Sequence, residues 1–217
     1  MKTALLFGGT GLVGRELMKR LFEDWHYNEL KVFVRKKMVI KHLHVDVVQI
    51  DFDSMDESAA MIKGDDCFCA LGTTMKKAGS REAFRKVDYE YVMNIARIAK
   101  QNGVKKFLVV SSIGADPASS NFYLKTKGEM EMALRQLSFE ELIIVRPSIL
   151  MGKRNEFRLG ELIGILFARI VSPFMIGPIK RYRPIKARVV ARSMIKLANS
   201  SANKIIYESN ELRELAK

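Results

Sequence analysis

Residues Gly8-Gly9-Thr10-Gly11-Leu12-Val13-Gly14 stand directly behind a short apolar run, Ala4 to Phe7. They stand directly ahead of a segment whose apolar residues, Leu12, Val13, Leu17, Leu21 and Phe22, recur at helical spacing. Strand, glycine turn and helix in that order leave few folds open. Gly8 permits the tight turn, Gly11 lets the backbone approach a bound anion, and Gly14 lets the helix lie close to the strand. Free N–H groups and the positive end of the helix dipole then face that anion. In a parallel α/β sheet such a turn seats the pyrophosphate of a dinucleotide.

The rest of the chain repeats the alternation. Runs rich in Val, Ile, Leu and Phe are expected to form strands near 2–7, 29–35, 45–50, 65–71, 104–111, 140–146 and 203–208. Helical spacing is expected over 11–24, 55–63, 80–101, 123–137, 157–171, 187–199 and 210–216. With right-handed crossovers this rhythm gives an α/β chain with a Rossmann-like, doubly wound parallel sheet. A chain of 217 residues with five prolines and no low-complexity stretch reads as one domain over 1–217. Its core spans 1–150, and 151–217 supplies substrate-side helices and the last strand.

The apolar stretch 157–176 is interrupted by Glu161, Arg169 and Pro173 and is too broken for a transmembrane span. It reads as buried or partner-facing, open to a homodimer or a protein partner. The start of the chain lacks the h-region and cleavage site of a signal peptide, which makes a cytoplasmic location the expectation.

Thirty-seven basic against 24 acidic residues leave a net charge of +13. The basic residues are dispersed in small groups (Arg35 to Lys37, Lys76 and Lys77, Lys105 and Lys106, Lys153 and Arg154, Lys180 to Arg183) without a nucleic-acid motif. Nucleic acid is therefore not expected as a partner, and solvated faces or a small anionic ligand are. Cys67 and Cys69 read as buried reduced thiols. No metal site is expected, because no further cysteine exists and the pair His42 and His44 lacks a third ligand nearby.

Arg35 ends the second strand about 20 residues beyond the glycine turn, where an NAD site carries an acid for the ribose 2′-hydroxyl. A guanidinium there bonds a 2′-phosphate in a charge-assisted, bidentate way, with Lys36 as a second cation, so NADP(H) is the expected cofactor. Asp51 and Phe52, after the third strand, are expected to meet adenine. Leu71, Gly72 and Thr73, after the fourth, are expected to approach the middle of the cofactor, again at the carboxyl end of a strand.

Ser111 and Ser112 follow the fifth strand, and Tyr123 and Lys127 then stand four apart on one helix face. As hydride adds to a carbonyl carbon, a tyrosine supplies the proton to its oxygen, provided a nearby ammonium lowers the phenol pKa from about 10 toward neutrality. Tyr123 is thus the expected acid/base and Lys127 its modulator and ribose ligand. A serine holds the oxygen. Alternation turns Ser111 and Ser112 opposite ways, and Ser112 is favoured. Arg146 and Pro147, ending the sixth strand, are expected to meet the carboxamide.

The glycine turn, Ser111-Ser112-Ile113-Gly114-Ala115-Asp116, Ser119-Ser120-Asn121-Phe122-Tyr123, Lys127 and Arg146-Pro147 together resemble an atypical short-chain dehydrogenase/reductase. The nearest branch is the Tat-interacting-protein-like NAD(P)-binding oxidoreductases, with the likeness covering roughly residues 3–150. It implies a Rossmann fold, an NADP(H) site and a Ser/Tyr/Lys triad on the residues named. Ala70-Leu71-Gly72-Thr73 stands where the mainstream family has Asn-Ala-Gly-Gly. The functional expectation is an NADP(H)-dependent oxidoreductase acting on a carbonyl or alcohol of a small molecule. The alternative is an NADP(H)-sensing regulatory protein with little turnover, and an epimerase or dehydratase ranks last.

Overall fold

The structure, a computed structural model, describes residues 2–40, 42–152 and 177–217. Strands β1 (Lys2–Phe7), β2 (Tyr27–Val34), β3 (Val45–Gln49), β4 (Asp66–Cys69), β5 (Lys106–Val110) and β6 (Glu141–Arg146) share one sheet with β9 (Ile206–Glu208). Short strands β7 (Leu150–Met151) and β8 (Ile185–Lys186) pair separately. The seven-stranded sheet has the order β3-β2-β1-β4-β5-β6-β9, and every neighbouring pair is parallel. This is the doubly wound α/β sheet expected from the sequence. The helices are α1 (Leu12–Leu21), α2 (Met75–Ala78), α3 (Arg81–Arg85), α4 (Tyr91–Gln101), α5 (Phe122–Arg135), α6 (Ala187–Ala198) and α7 (Ser209–Leu215).

Strands covered on both faces need apolar residues at every position, and the side-chain period of two then divides them between two cores. Leu5, Phe7, Cys67, Cys69, Phe107, Val109 and Ile144 pack with residues of α4 and α5. Ala4, Leu6, Phe68, Leu108, Ile143 and Val145 pack with residues of α1, α6 and α7. Both cysteines are buried and free, as expected, and burial pushes the Cys69 thiol up to about 11.

Two helical expectations are corrected. Residues Met55–Met61 form a 3-10 helix rather than an α-helix. The stretch expected as one helix over 80–101 consists of α3, a π-helical turn at Lys86–Glu90, and α4. A π turn takes in an extra residue and shifts the phase of every side chain beyond it. Here it carries Asp88 into the interior. Helix α2 and the β7/β8 pair were not foreseen. The helix expected at 157–171, and any contact through 157–176, lie outside the described residues. Among the described residues no helix is long and apolar enough to cross a membrane.

At the amino end of the sheet, buried Asp66 accepts from Lys2 Nζ at 3.0 Å and from the Tyr27 hydroxyl at 2.7 Å, fastening β1, β2 and β4 together. Removing the hydroxyl with Tyr27→Phe takes a donor from a buried carboxylate. It should cost about 1.5–3 kcal/mol and lower the melting temperature by roughly 3–10 °C. Because this cluster lies at the opposite end of the strands from the glycine turn, nucleotide affinity measured on the same variant should be unchanged.

Candidate functional site

The strand order reverses between β1 and β4: the chain leaves β1 for β2 on one side and later returns to β4 on the other. Such a switch point opens a crevice at the carboxyl ends of the strands, and the glycine turn lies in it. Gly8 has φ +81°, and a Cβ there would lie 2.5 Å from the Ala70 carbonyl oxygen. A Cβ on Gly14 would lie 2.0 Å from the Gly8 carbonyl oxygen. Only bare backbone fits at either place. Helix α1 starts at Gly11 with no side-chain cap and no acid in its first turn. Among the described residues no carboxylate caps its leading N–H groups and positive dipole end, which suits a pyrophosphate. Thr10 and Gly11 are exposed, Leu12 is partly buried, and Gly9 and Val13 are buried.

At the neighbouring strand ends, Arg35 and Lys36 stand exposed beyond β2, where Gln49 Nε2 donates to the Arg35 carbonyl at 3.4 Å. Asp51 is also exposed. Phe52 is not a surface ring: it is buried, with its centroid 6.5 Å from that of Phe7 and 5.4 Å from that of Tyr91. Of this pair, only Asp51 presents a side chain at the surface.

Helix α5 is capped by Asn121 Oδ1, which accepts from the N–H groups of Tyr123 at 3.0 Å and Leu124 at 3.3 Å. The cap sets the start of the helix and so the direction of Tyr123. The Tyr123 ring packs 5.5 Å from that of Phe84, and its hydroxyl hydrogen-bonds to no described residue. One turn on, Lys127 runs inward. Its side chain is 4% exposed and its ammonium lies 2.8 Å from Asp88 Oδ1, whose side chain is 1% exposed. The ammonium also reaches the Val110 carbonyl at 3.5 Å. Asp88 Oδ2 in turn accepts the Thr73 N–H at 2.8 Å. A Cβ on Gly72 would lie 3.2 Å from Asp88 Oδ1 and 3.9 Å from Lys127 Nζ. The Leu71–Thr73 loop, Asp88 and Lys127 thus form one contiguous unit. Burial disfavours the Lys127 charge, but Asp88 first and then Tyr123 more than offset it, and its pKa is raised above the ordinary lysine value.

The two serines part as alternation requires. Ser111 is buried and donates to Glu131 Oε1 at 2.5 Å. Ser112 is partly exposed, and its hydroxyl donates only a long bond, 3.3 Å, to the adjacent Ile113 carbonyl. Glu131, itself buried, is gripped by Arg146 through Nε at 2.9 Å and Nη2 at 2.6 Å. Buried Pro147 accepts the Ile113 N–H at 3.0 Å on its carbonyl. Arg146 and Pro147 therefore brace the serine loop from behind.

Asp88 and Glu131 escaped the sequence reading. Glu131 had a legible signal, since Tyr123, Lys127 and Glu131 recur every four residues. Asp88 had none, because a lone acid in a helical stretch reads as solvated until a π turn rotates it inward.

Replacing Arg146 by Met leaves Glu131 buried without its cation and should cost about 3–5 kcal/mol in chemical denaturation. Combining it with Glu131→Leu removes the stranded charge and should recover most of that loss.

Comparison with known proteins gives the family. A family model described as NAD(P)H-binding matches residues 8–161. The chain is 37% identical over 164 residues to "Protein HTATIP2" of Rattus norvegicus, covering 74% of this chain and 67% of that protein. It is 32% identical over 235 residues to "Protein FMP52-1, mitochondrial" of Scheffersomyces stipitis, covering 99% of each. With "Protein FMP52, mitochondrial" of Meyerozyma guilliermondii it shares 39% identity over 154 residues, 70% of this chain and 66% of that one. Among solved structures, UDP-glucose 4-epimerase of Thermotoga maritima superposes with a TM-score of 0.70 at 16% identity, covering 99% of this chain and 81% of that one. Vestitone reductase of alfalfa gives 0.67 at 17%, covering 95% and 76%. These two show the fold. The resemblance to Tat-interacting-protein-like oxidoreductases is borne out. The cytoplasmic location is not: the fungal relatives are named as mitochondrial proteins.

Proposed function

The chain belongs to the NAD(P)H-binding family, and from that premise we propose that it is an NADP(H)-dependent oxidoreductase acting on a carbonyl or alcohol. The observation that carries this reading is the buried Lys127 ammonium against Asp88, with the Tyr123 hydroxyl, which bonds to no described residue, one helical turn away.

The Gly8–Gly14 turn would hold the pyrophosphate, Arg35 and Lys36 the 2′-phosphate, and Asp51 with the Phe52 backbone the adenine. Leu71, Gly72 and Thr73 would line the middle of the cofactor. When bound, NADP(H) would supply the chemistry of hydride transfer to or from the substrate carbon. Tyr123 donates a proton to the carbonyl oxygen in reduction and takes one from the alcohol in oxidation, while Ser112 hydrogen-bonds that oxygen. Lys127 favours the phenolate form electrostatically and holds the nicotinamide ribose. Ser111, Arg146 and Pro147 support this arrangement from behind through Glu131 and the Ile113 backbone. From the fungal relatives the reading also takes a mitochondrial location.

A second reading, an NADP(H) sensor with little turnover, draws on the same ion pair. A Lys127 charge balanced by Asp88 pulls less on the Tyr123 proton than a lone ammonium would.

Fluorescence titration should show NADPH binding more tightly than NADH, and Arg35→Asp should remove that preference. Against a panel of carbonyl compounds, Tyr123→Phe should lower turnover by about 10²–10⁴-fold with cofactor affinity retained. Tight NADPH binding without turnover of any compound selects the sensor. Failure to bind either nucleotide overturns both readings.

A further inference from the structure

A buried lysine is an unstable arrangement unless something maintains its proton. Desolvation by itself drives an ammonium toward the neutral amine, by up to several pKa units when burial is complete. Lys127 is 4% exposed. The groups facing it are few: Asp88 from the π turn, Tyr123 from its own helix, Cys69 from β4, and the Val110 carbonyl at the end of β5. Cys69 stays a neutral thiol, because burial pushes it up to about 11. Tyr123 cannot serve as a standing counter-ion in a mechanism that requires it to carry and release a proton. Among the described residues Asp88 alone supplies fixed negative charge, at 2.8 Å. Its second oxygen accepts from Thr73, in the loop assigned to the cofactor's middle.

We infer that Asp88 is a positioning residue that keeps the buried Lys127 ammonium charged and fastens the Leu71–Thr73 loop to it, so that the cofactor-facing loop and the charge behind Tyr123 are set by one carboxylate. The inference rests on the role proposed for Lys127. Its chemistry accounts for an acid where the bland expectation is a solvated helix residue. A neutral amine at position 127 would neither favour a phenolate nor offer three donors to ribose oxygens.

The sign of the pH dependence follows from linkage. In the parent the folded-state pKa of Lys127 is raised. The stabilisation it brings is therefore fully present below the ordinary lysine range and is lost only as pH rises through that raised value. In Asp88→Asn the ammonium is buried without a counter-ion, its folded-state pKa falls below the unfolded value, and folding expels a proton. That variant's deficit is greatest near neutrality and shrinks as pH rises.

The test is a melting-temperature series from about pH 7 to about pH 10 on the parent, Asp88→Asn and Asp88→Glu. The gap between parent and Asp88→Asn should narrow by roughly half or more across that range, while Asp88→Glu, which keeps the charge, stays close to the parent. In a Lys127→Met background, from about pH 7 to about pH 10 where the stranded Asp88 stays ionised, the effect of Asp88→Asn should not change with pH. A constant gap in the Lys127 background would overturn the inference and leave Asp88 as an acceptor for Thr73 only. Should Asp88→Asn not fold, Lys127→Met reads the pair from the other side. It strands the carboxylate, and its deficit should shrink from about pH 7 to about pH 5 as Asp88 takes a proton; a constant deficit there overturns the inference equally. NADPH affinity followed over the alkaline range adds a functional readout. It should fall about tenfold with rising pH in Asp88→Asn and stay level in the parent. Absence of NADPH binding in the parent would defeat the proposed function, whereas the melting series still decides the role of Asp88.

Discussion

The Ala70 carbonyl oxygen lies where any side chain on Gly8 would have to go. That contact between bare backbone after β1 and bare backbone after β4 is what lets the two strands sit side by side at the point where the sheet changes direction. Everything assigned to the cofactor follows from it. The α1 N-terminus is brought to the crevice because Gly14 allows the helix to close on Gly8. The loop after β4 is brought to the same crevice because β4 is the neighbour of β1. The two sequence segments that meet there are separated by two strands and their connections, so the sheet topology and no local preference makes them one site.

Helix α5 does the corresponding work on the substrate side through a single stripe, Tyr123, Lys127 and Glu131. Its two inner members are buried ions, each held by a partner from another element: Asp88 from the π turn and Arg146 from β6. Buried pairs of this kind contribute little to stability, since the desolvation of both ions consumes most of their attraction. Stability comes instead from the two apolar layers, which are continuous and closely packed. What the ion pairs supply is direction. Asp88 ties the β4 loop to α5, and Glu131 ties Ser111 and the end of β6 to the same helix, whereas among the described residues Ser112 makes only a long bond to its neighbour's carbonyl and the Tyr123 hydroxyl makes none. A site whose inner groups are saturated with one another has few ways to rearrange.

Much of this was legible in the sequence, for a physical reason. Strands buried on both faces announce themselves as unbroken apolar runs, and all seven strands of the main sheet were placed within about three residues of their observed limits. The glycine turn was legible because close approach of backbones admits no other residue. The 3-10 helix at Met55–Met61 was not, because the same spacing of apolar side chains fits a loose turn or a full helix. Nor was the inward turn of Asp88, which depends on one extra residue in a helical turn at Lys86–Glu90. Phe52 was placed beside the adenine by its position after β3. Its ring is instead part of the core, because alternation from buried Val48 and Ile50 sends it to the same face. The remaining difficulty lies after β6, where β7 and β8 are only two residues long each and carry no periodicity to read.

Part of the net charge of +13 lies at the carboxyl edge of the sheet. Arg35, Lys36 and Lys37 are exposed just beyond the carboxyl end of β2, and Lys76 and Lys77 are exposed in the helical turn that follows the β4 loop. Both groups lie on the edge of the sheet that carries the glycine turn. At the amino edge, Lys2 pairs with Asp66 and Lys106 with Glu141. Basic residues beside a crevice would raise the local concentration of a small, highly charged anion there, which fits a nucleotide seated at the α1 N-terminus. The charge is thus the long-range counterpart of the proposed cofactor site. Its influence reaches about 8–10 Å at physiological ionic strength, beyond which only diffusion delivers the ligand.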